Sequence, residues 1–412
     1  MIFEQNTHSR IRILSQQTDE TLLALLDTVG VDVYARDILL PKMKHINIQL
    51  PGIACPVANI MKQEMLALGG DAAVARGTVA CSIPATDVVL MGTEKQIRAF
   101  AERIKQQPFG LKFFSAQLEE LLTNYRRTHF VLETDRRKIE LGQRTRIMGV
   151  VNVTPDSFSD GGQFLSTQAA IDRASALEEE GADFIDIGGE SSRPGSDFIP
   201  AADELKRIIP VIEGLQGRLN IPISVDTVKA DVAKEAVAAG AEIINDISAM
   251  TFDPNMGVVA SKSGAVVILM HMKGVPKSMQ TGPIIYEDLM TDIIEHLTKQ
   301  ITYARTQGIR TNKIIVDPGI GFGKKVEDNL SIIRHLSELK ILGMPIMVGV
   351  SRKSFIGTVT KMDVPAERTE GNAAAVTATV LNGCRIVRVH DVAATKKIVA
   401  MADAILHGPD TR

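Results

Sequence analysis

The sequence predicts an α/β protein in which a small amino-terminal α/β domain precedes an eight-stranded (β/α)8 barrel. Eight short apolar runs lie between Arg146 and Asp391, and each one ends abruptly in polar or charged residues. Amphipathic stretches of helical spacing separate the runs. Buried parallel strands are apolar throughout, and each requires a crossover helix before the next strand. Eight such units close into a barrel whose active site gathers at the carboxyl ends of its strands.

Each apolar run ends on side chains that can bind a polar ligand or act chemically. In chain order the runs end on Asn152; on Glu190, Ser192 and Arg193; on Asp226; on Asn245 and Asp246; on His271; on Asp317; on Ser351, Arg352 and Lys353; and on Arg388, His390 and Asp391. An open doubly wound sheet is the competing architecture, but it usually has fewer units and gathers its catalytic residues at one switch point. The regular alternation therefore favours the barrel.

The stretches between the runs begin and end as helices do. The first is capped by Ser166 or Thr167 and stops at Gly181, and the third stops at Gly240. A short helix is expected near residues 253–263, and two helical segments follow the seventh strand. The other predicted helices are AADELKRIIPVIEGL, YEDLMTDIIEHLTKQITYARTQG, VEDNLSIIRHLSELK and VAATKKIVAMADAILHG.

A domain boundary is predicted near residue 125. Residues 1–125 contain helical segments such as DETLLALLDTV and EKQIRAFAERIKQQ and two strand-like segments, HINIQLPG and TDVVLMGT. They form a small α/β domain in which we find no catalytic motif. Residues 126–412 hold the barrel. The segment THFVLETDRRKIELG, two alternating strands around a polar turn, predicts a hairpin that caps the amino-terminal mouth of the barrel.

Composition narrows the class of protein. The chain of 412 residues is 45% hydrophobic and 23% charged with a net charge of −3, so it lacks the basic excess of a nucleic-acid surface. It has no apolar run of bilayer length and no long apolar segment at its start, so neither membrane association nor secretion is expected. Cys55, Cys81 and Cys384 are scattered, which favours core thiols in a reducing cytoplasm.

Two groups of strand-end residues favour binding of an anion. Lys353 and Ser354 immediately precede or begin a helix, and the free amides of a helix start suit an anionic group. Arg388 and His390 share one face of the eighth strand, because alternate residues of a strand point the same way. An arginine and a histidine at a barrel mouth can cradle a phosphate. A surface salt bridge is the alternative interpretation.

A third group suits a flat heterocycle. We expect Asp226 and Asp317 opposite each other around the ring, joined by Asn245 and Lys353. Carboxylates accept N–H donors and a lysine donates to ring nitrogen and oxygen, so this set can recognise an aminopyrimidinone edge. The turn DPGIGFGKK lacks the phosphate-loop pattern. Its glycines either form a tight loop or let the backbone approach a flat ligand.

Asp186 lies within the predicted strand FIDIGGE. A charge inside a barrel is costly unless it is paired, so we expect Asp186 to be the structural partner of a lysine or arginine.

In order along the chain, RIMGVVNVTPDSFSDGG, GGESSRPG, SVDT, AEIINDIS, ILMHMKG, DPGIGFGK, SRKSFIG and RIVRVHDV resemble the dihydropteroate synthase family, from about Thr128 to about Leu406. The resemblance implies a cytoplasmic (β/α)8 transferase of folate synthesis, commonly a homodimer and a target of sulfonamides. It would join 4-aminobenzoate to 6-hydroxymethyl-7,8-dihydropterin diphosphate, with Mg2+, and release pyrophosphate. No nucleic-acid or membrane partner is implied.

The resemblance also assigns residues. The pterin would meet Asp226, Asn245, Asp317, Lys353 and Arg388. The diphosphate would meet Asn152, Ser192, Arg388 and His390, with Mg2+ bound at Asn152. The aminobenzoate would lie near Phe322, Ser354, Arg193 and Pro194, and two loops carrying Asp156, Phe158, Ser159 and Asp160, and Ser192, Arg193 and Pro194, would close over the site. One position departs from the family, because GESSRPG has Ser192 where threonine is usual; the hydroxyl is kept.

Two alternatives share parts of this pattern. Corrinoid-dependent methyltransferases that use methyltetrahydrofolate have similar strand ends at Asp226 and Asn245, but the SRKS and RVHD segments would have no role there. A catalytically silent pterin-binding protein would be expected to lose its polar site residues, and here all these positions are filled.

Overall fold

The computed structural model describes residues 13–14, 18–154, 163–191 and 195–408. The chain divides into two compact units, Met1–Leu122 and Thr123–Arg412. Among the described residues, no helix combines the length and hydrophobicity that crossing a bilayer requires.

The first unit is built on a three-stranded antiparallel sheet of order β1-β3-β2. Its strands are β1 (His45–Ala54), β2 (Asp71–Val74) and β3 (Ala85–Thr93), and its helices are α1 (Asp19–Val29), α2 (Val33–Met43), α3 (Cys55–Ala67), α4 (Glu94–Ile104) and α5 (Leu111–Arg126), the last of which continues into the second unit. The strands that HINIQLPG and TDVVLMGT predict are confirmed as parts of β1 and β3.

Helix α2 was not predicted from the sequence. It contains Pro41 and buries none of its residues, so it leaves no periodic apolar signal. Helix α4 shows the opposite behaviour, since it buries Ile97, Phe100 and Ile104 along one face. It also begins with a capping box in which the Thr93 amide donates to Gln96 and the Gln96 amide donates to Thr93.

The second unit is the predicted barrel of eight parallel strands. They are β6 (Arg146–Asn152), β7 (Phe184–Gly188), β8 (Ile223–Asp226), β9 (Ile243–Asp246), β10 (Val266–Met270), β11 (Ile314–Asp317), β12 (Met347–Val348) and β13 (Ile386–Val389). Their order is β11-β10-β9-β8-β7-β6-β13-β12, and a parallel bridge between Val316 and Ile346 joins the two ends. A closed ring leaves no sheet edge open.

Helices follow the barrel strands as the sequence predicts, except that the first begins at Gln163, so the expected caps Ser166 and Thr167 lie inside it. They are α6 (Gln163–Glu180), α7 (Ala201–Leu215), α8 (Ala230–Ala239), α9 (Met256–Ser263), α10 (Leu289–Thr306), α11 (Val326–His335), α12 (Ser354–Thr360), α13 (Thr369–Leu381) and α14 (Val392–His407). The two helices after the seventh strand, α12 and α13, are thereby confirmed. Apolar side chains of the helices pack against the outward faces of the strands in one continuous core.

A hairpin of β4 (Phe130–Glu133) and β5 (Lys138–Leu141) seals the amino-terminal end of the barrel. Leu132 and Leu141 are buried in one cluster with strand residues that include Met148 and Phe184. Arg137 forms an ion pair with Glu242 at 2.9 Å and so ties the hairpin turn to the start of β9. The predicted hairpin is present, and its buried leucines pack with side chains of the barrel strands.

We expect Leu132→Ala to lower the free energy of unfolding by about 2–5 kcal/mol, because it removes a side chain that is 1% exposed from a packed cluster. Val131→Ala is the matched control on the same strand, since Val131 is 44% exposed. Urea unfolding measures both variants. Equal losses of unfolding free energy in the two variants would show that the hairpin does not seal the barrel end through its buried face.

Candidate active site

The carboxyl ends of the barrel strands bring together most of the described residues that the sequence singles out. Asp226, Asn245 and Asp317 end or nearly end β8, β9 and β11, and all three are buried. One expectation was wrong: β8 and β11 are three positions apart around the ring of eight, so Asp226 and Asp317 do not lie opposite each other. The strand opposite β11 is β7, which carries Asp186.

Arg388, Asp186, Asp226 and Asn245 form a buried network of ion pairs and hydrogen bonds, the floor network. The Arg388 Nε donates to Asp186 Oδ2 at 2.6 Å, and the Arg388 Nη2 donates to Asp226 Oδ2 at 2.7 Å. The amide nitrogen of Asn245 donates to the same Asp186 oxygen at 3.0 Å. The prediction that Asp186 is a structural partner of a basic residue is confirmed, and that residue is Arg388.

Burial changes how these carboxylates titrate. Desolvation raises the pKa of Asp226 to about 7; the Arg388 guanidinium opposes this shift, and the charges of Asp186, Glu204 and Asp246 add to it. Desolvation also raises the pKa of Asp317, against the charge of Lys353 and the hydrogen bond from the Gly319 amide at 2.7 Å. Both carboxyls are therefore sensitive to any ligand that brings donors into the site.

Lys353 enters the site from the residue before α12. Its ammonium donates to the Ile320 carbonyl and lies 4.7 Å from the centre of the Phe322 ring. Burial lowers the pKa of Lys353 to about 8, while the charge of Asp317 acts in the opposite direction. Lys353 and Phe322 are thus neighbours, and Ser354 is exposed at the start of α12.

Of the residues expected to bind the diphosphate, the structure describes His390, Arg388 and Asn152. His390 lies just after β13, and its Nδ1 is 3.2 Å from the Ser351 hydroxyl. Arg388 donates to the carboxylates of Asp186 and Asp226 through its Nε and Nη2. Asn152 ends β6 and is half-buried. Seven predicted positions lie outside the described residues: Asp156, Phe158, Ser159, Asp160, Ser192, Arg193 and Pro194.

The glycines after β11 let the loop lie close to other parts of the protein. At two of the three positions the neighbour is a backbone carbonyl, and at the third it is a side chain. A Cβ at Gly319 would lie 1.9 Å from the His271 carbonyl oxygen, and one at Gly323 would lie 2.2 Å from the Lys273 carbonyl oxygen. Gly321 faces the Lys353 side chain. The loop is therefore pressed against the segment after β10, which fixes Asp317 and Phe322 in place.

Lys324 also joins the loop after β11 to the segment after β10, and the sequence did not indicate this role. Its buried ammonium donates to the carbonyls of His271 and Phe322, both at 3.2 Å, and lies 2.9 Å from the His271 Nδ1. Burial lowers the pKa of His271 to about 2, helped by the charge of Lys324. His271 is thus a neutral, structural histidine at neutral pH. Its strand-end position had made it a candidate for chemistry.

A half-buried cation, Lys229, links the end of β8 to the end of β7 and to α7. It donates to Glu204 at 2.6 Å and to Glu190. Glu204 is fully buried, and desolvation raises its pKa against the attraction of Lys229. A lysine three residues after a strand-end aspartate was the available signal for this group.

Known proteins similar to this chain point to one family. The family model described as pterin binding enzyme matches residues 148–390. The dihydropteroate synthase of Synechocystis sp. is 47% identical over 264 residues, which cover 64% of this chain and 91% of that protein. The structure of Xanthomonas albilineans dihydropteroate synthase with 4-aminobenzoic acid has a TM-score of 0.64 at 41% identity and covers 68% of this chain and 100% of that one.

A further relative reaches beyond the barrel. A probable bifunctional folylpolyglutamate synthase/dihydropteroate synthase of Halobacterium salinarum is 40% identical over 353 residues, which cover 86% of this chain and 42% of that protein. Because this match is longer than the whole second unit, Thr123–Arg412, it extends into the first unit.

Gly319→Ala and Gly217→Ala test whether the loop after β11 depends on close backbone approach. Both glycines have φ near +70°, but a Cβ at Gly217 meets nothing within 4 Å. We expect Gly217→Ala to cost about 1–2 kcal/mol of stability from the left-handed backbone alone. Gly319→Ala should cost roughly 1–3 kcal/mol more from the steric clash and should also reduce turnover. Urea unfolding and steady-state rates measure this, and indistinguishable variants would contradict the assignment.

Proposed function

Because the chain belongs to the dihydropteroate synthase family of pterin binding enzymes, we propose that it condenses 6-hydroxymethyl-7,8-dihydropterin diphosphate with 4-aminobenzoate. The products are 7,8-dihydropteroate and pyrophosphate, so the enzyme is a transferase of folate biosynthesis. The observation that carries this proposal is that Asp226, Asn245 and Asp317 are all buried at the carboxyl ends of barrel strands, with the charge of Lys353 acting on Asp317.

The pterin is recognised by its pattern of donors and acceptors. Its amino and ring N–H groups donate to the carboxylates of Asp226 and Asp317 and to the amide oxygen of Asn245, and Lys353 donates to the ring oxygen or nitrogen. Asp226, Asp317 and Asn245 are buried, so a ring without matching donors would leave a buried carboxylate without a partner. This pairing selects an aminopyrimidinone.

The aminobenzoate occupies the outer part of the site. Phe322, which already contacts Lys353, provides an apolar ring for the aromatic substrate. Ser354 and the amides that begin α12 receive the carboxylate. The family resemblance adds Arg193 and Pro194, which lie outside the described residues. This arrangement directs the amine toward the pterin methylene.

Bond formation is governed by charge stabilisation and positioning. The bond from the methylene carbon to the diphosphate oxygen breaks, and its electron pair leaves with the pyrophosphate. The neutral amine lone pair forms the new C–N bond and the nitrogen then loses a proton to solvent, so no strong general base is required. The carboxylates of Asp226 and Asp317 favour the positive charge that builds on the electron-rich ring, as in a dissociative displacement.

The leaving group is stabilised at the rim. Arg388 and His390 from the end of β13, together with the hydroxyl of Ser192, bind the departing diphosphate. Asp160 and Arg193, which lie outside the described residues, are assigned to catalysis by the family resemblance. When both substrates are held in line, the reaction becomes effectively intramolecular, and this positioning contributes a large part of the rate enhancement.

Asn152 is the residue that would hold Mg2+. Its amide oxygen at the end of β6 is the hard type of ligand that Mg2+ takes, and the ion usually completes its shell with water and substrate phosphates rather than with protein carboxylates. The described residues contain no cluster of three or more histidine, cysteine, aspartate or glutamate side chains that could hold a metal ion. The ion would neutralise charge on the diphosphate. A homodimeric state and a cytoplasmic location are part of the same proposal.

The decisive experiment measures pyrophosphate release by the full chain with both substrates and Mg2+. Release should require both substrates, and a sulfonamide should compete with 4-aminobenzoate but not with the pterin diphosphate. Methyl transfer from methyltetrahydrofolate without pyrophosphate release would support a corrinoid-dependent methyltransferase instead. Pterin binding without any turnover would indicate a silent binding protein.

Asp317→Ala, Lys353→Ala and Arg388→Ala should each lower turnover by at least ~100-fold, which is the scale for loss of one preorganised electrostatic group. Lys397→Ala, an exposed lysine on α14, is the control and should retain the wild-type rate. Steady-state kinetics of the folded variants provide the measurement. Near-normal rates in all three site variants would refute the assignment of this site.

A further inference from the structure

Asp186 is the most deeply buried charged side chain of the floor network, and the proposed reaction gives it no contact with substrate. It lies in the middle of β7 and is 0% exposed. One of its oxygens, Oδ2, accepts from Asn245 on β9 and from Arg388 on β13. These strands lie two positions away from β7 on either side, so a single carboxylate links two substrate-binding residues across the barrel.

Arg388 divides its donors between two carboxylates. Its Nε binds Asp186 and its Nη2 binds Asp226. On the proposed function, Asp226 also accepts N–H groups from the pterin. The pterin and Arg388 therefore compete for the Asp226 oxygens, whereas Asp186 lies beneath the site.

We propose that Asp186 is a positioning residue that serves as the resident counter-ion of Arg388, and so frees Asp226 to bind the pterin while Arg388 and Asn245 stay in place. This inference rests on the proposed function. Asp186 makes no contact with the reacting atoms; it acts through the two residues that it orients.

The charge count explains why a second carboxylate is needed. Arg388 is half-buried against fully buried Asp186, and breaking an ion pair at a buried site by removing one partner is strongly destabilising, so Arg388 must keep a carboxylate when the pterin binds. If Asp226 were its only partner, the pterin would have to break that ion pair on binding. With Asp186 present, the exchange at Asp226 leaves Arg388 paired through its Nε.

Asp186 also retains unused hydrogen-bonding capacity. Among the described residues, its Oδ1 has no hydrogen-bond partner although the atom is buried. A carboxylate placed only for stability would be expected to have both oxygens satisfied. The bond from the Asn245 nitrogen to Oδ2 in turn leaves the Asn245 carbonyl oxygen for a pterin N–H.

The same strand supplies a matched control. Asp183, just before β7, also pairs with two arginines: with Arg144 Nη1 and with Arg146 Nη1, both at 2.9 Å. It lies at the amino-terminal end of the barrel, away from the site. Asp183→Asn and Asp186→Asn therefore both remove a carboxylate that binds arginine, but only Asp186→Asn touches the network of Arg388.

We would compare the full-length wild type with Asp186→Asn and Asp183→Asn in the pyrophosphate assay. Asp186→Asn should raise the KM for the pterin diphosphate at least ~10-fold, on the scale of a lost hydrogen bond to a charged group. The KM for 4-aminobenzoate should change little. Asp183→Asn should lower the melting temperature but leave the pterin KM unchanged.

The pH profile provides a readout that a purely structural role would not move. Asp226 faces Arg388, Asp186, Glu204 and Asp246, and the negative charge of Asp186 is one of the causes that raise its pKa. Removing that charge lowers the pKa of Asp226, so the acid limb of kcat/KM for the pterin should shift to lower pH in Asp186→Asn. Asp183→Asn should keep the wild-type profile.

A double variant keeps the test decisive if Asp186→Asn does not fold. Asp186→Asn combined with Arg388→Gln removes both partners together, which is tolerated better than leaving one buried charge alone. The amide oxygen in Asp186→Asn can still accept from Asn245, so the substitution acts through Arg388. This double variant should therefore bind an unreactive pterin as tightly as Arg388→Gln alone.

The outcomes separate the two proposals. A wild type that releases no pyrophosphate defeats the proposed function. An active wild type with an unchanged pterin KM in Asp186→Asn, or a double variant that binds pterin more weakly than Arg388→Gln alone, overturns the role of Asp186 only.

Discussion

Buried charge at the carboxyl ends of the barrel strands is the constraint on which the rest of this site depends. Asp186, Asp226 and Asp317 are all removed from water, and the cations that face them are Arg388 and Lys353. Burial raises the pKa of Asp226 to about 7 and lowers that of Lys353 to about 8, so each group depends on its neighbours to remain charged. On the proposed function, a ligand with the matching pattern of donors and acceptors would give these buried groups hydrogen-bond partners, and an unmatched ligand would not.

The ion-pair network holds its geometry because Lys324 and Lys229 join the segments that follow neighbouring barrel strands. Lys324 connects the end of β10 with the loop after β11, and the close approach of Gly319 to His271 presses the same two segments together. Lys229 links the end of β8 to the end of β7 through Glu190 and to α7 through Glu204. These groups leave the barrel mouth little freedom to relax when a substrate charge enters, which is what electrostatic preorganisation requires.

The sequence predicted the barrel well because its signals are local. Continuous apolar runs mark β6 to β13, and the polar residue that ends each run is visible in the order of the letters, as at Asn152, Asp226 and Asp317. Helix α2 escaped prediction because it buries none of its residues and so lacks periodicity. The role of Lys324 was missed for another reason: its partners are backbone carbonyls, which carry no sequence signature.

By itself, the sequence determined the eight strands, the chemical type of each strand-end residue, and the resemblance that identifies the family. Only the tertiary structure decided which of these residues meet. Arg388 pairs with Asp186 and Asp226, which lie far back in the chain, and Asp226 lies three strands from Asp317 rather than opposite it. The physical reason is closure: strand order and register around the ring fix the distances between side chains, and residue identities alone do not contain that ring geometry.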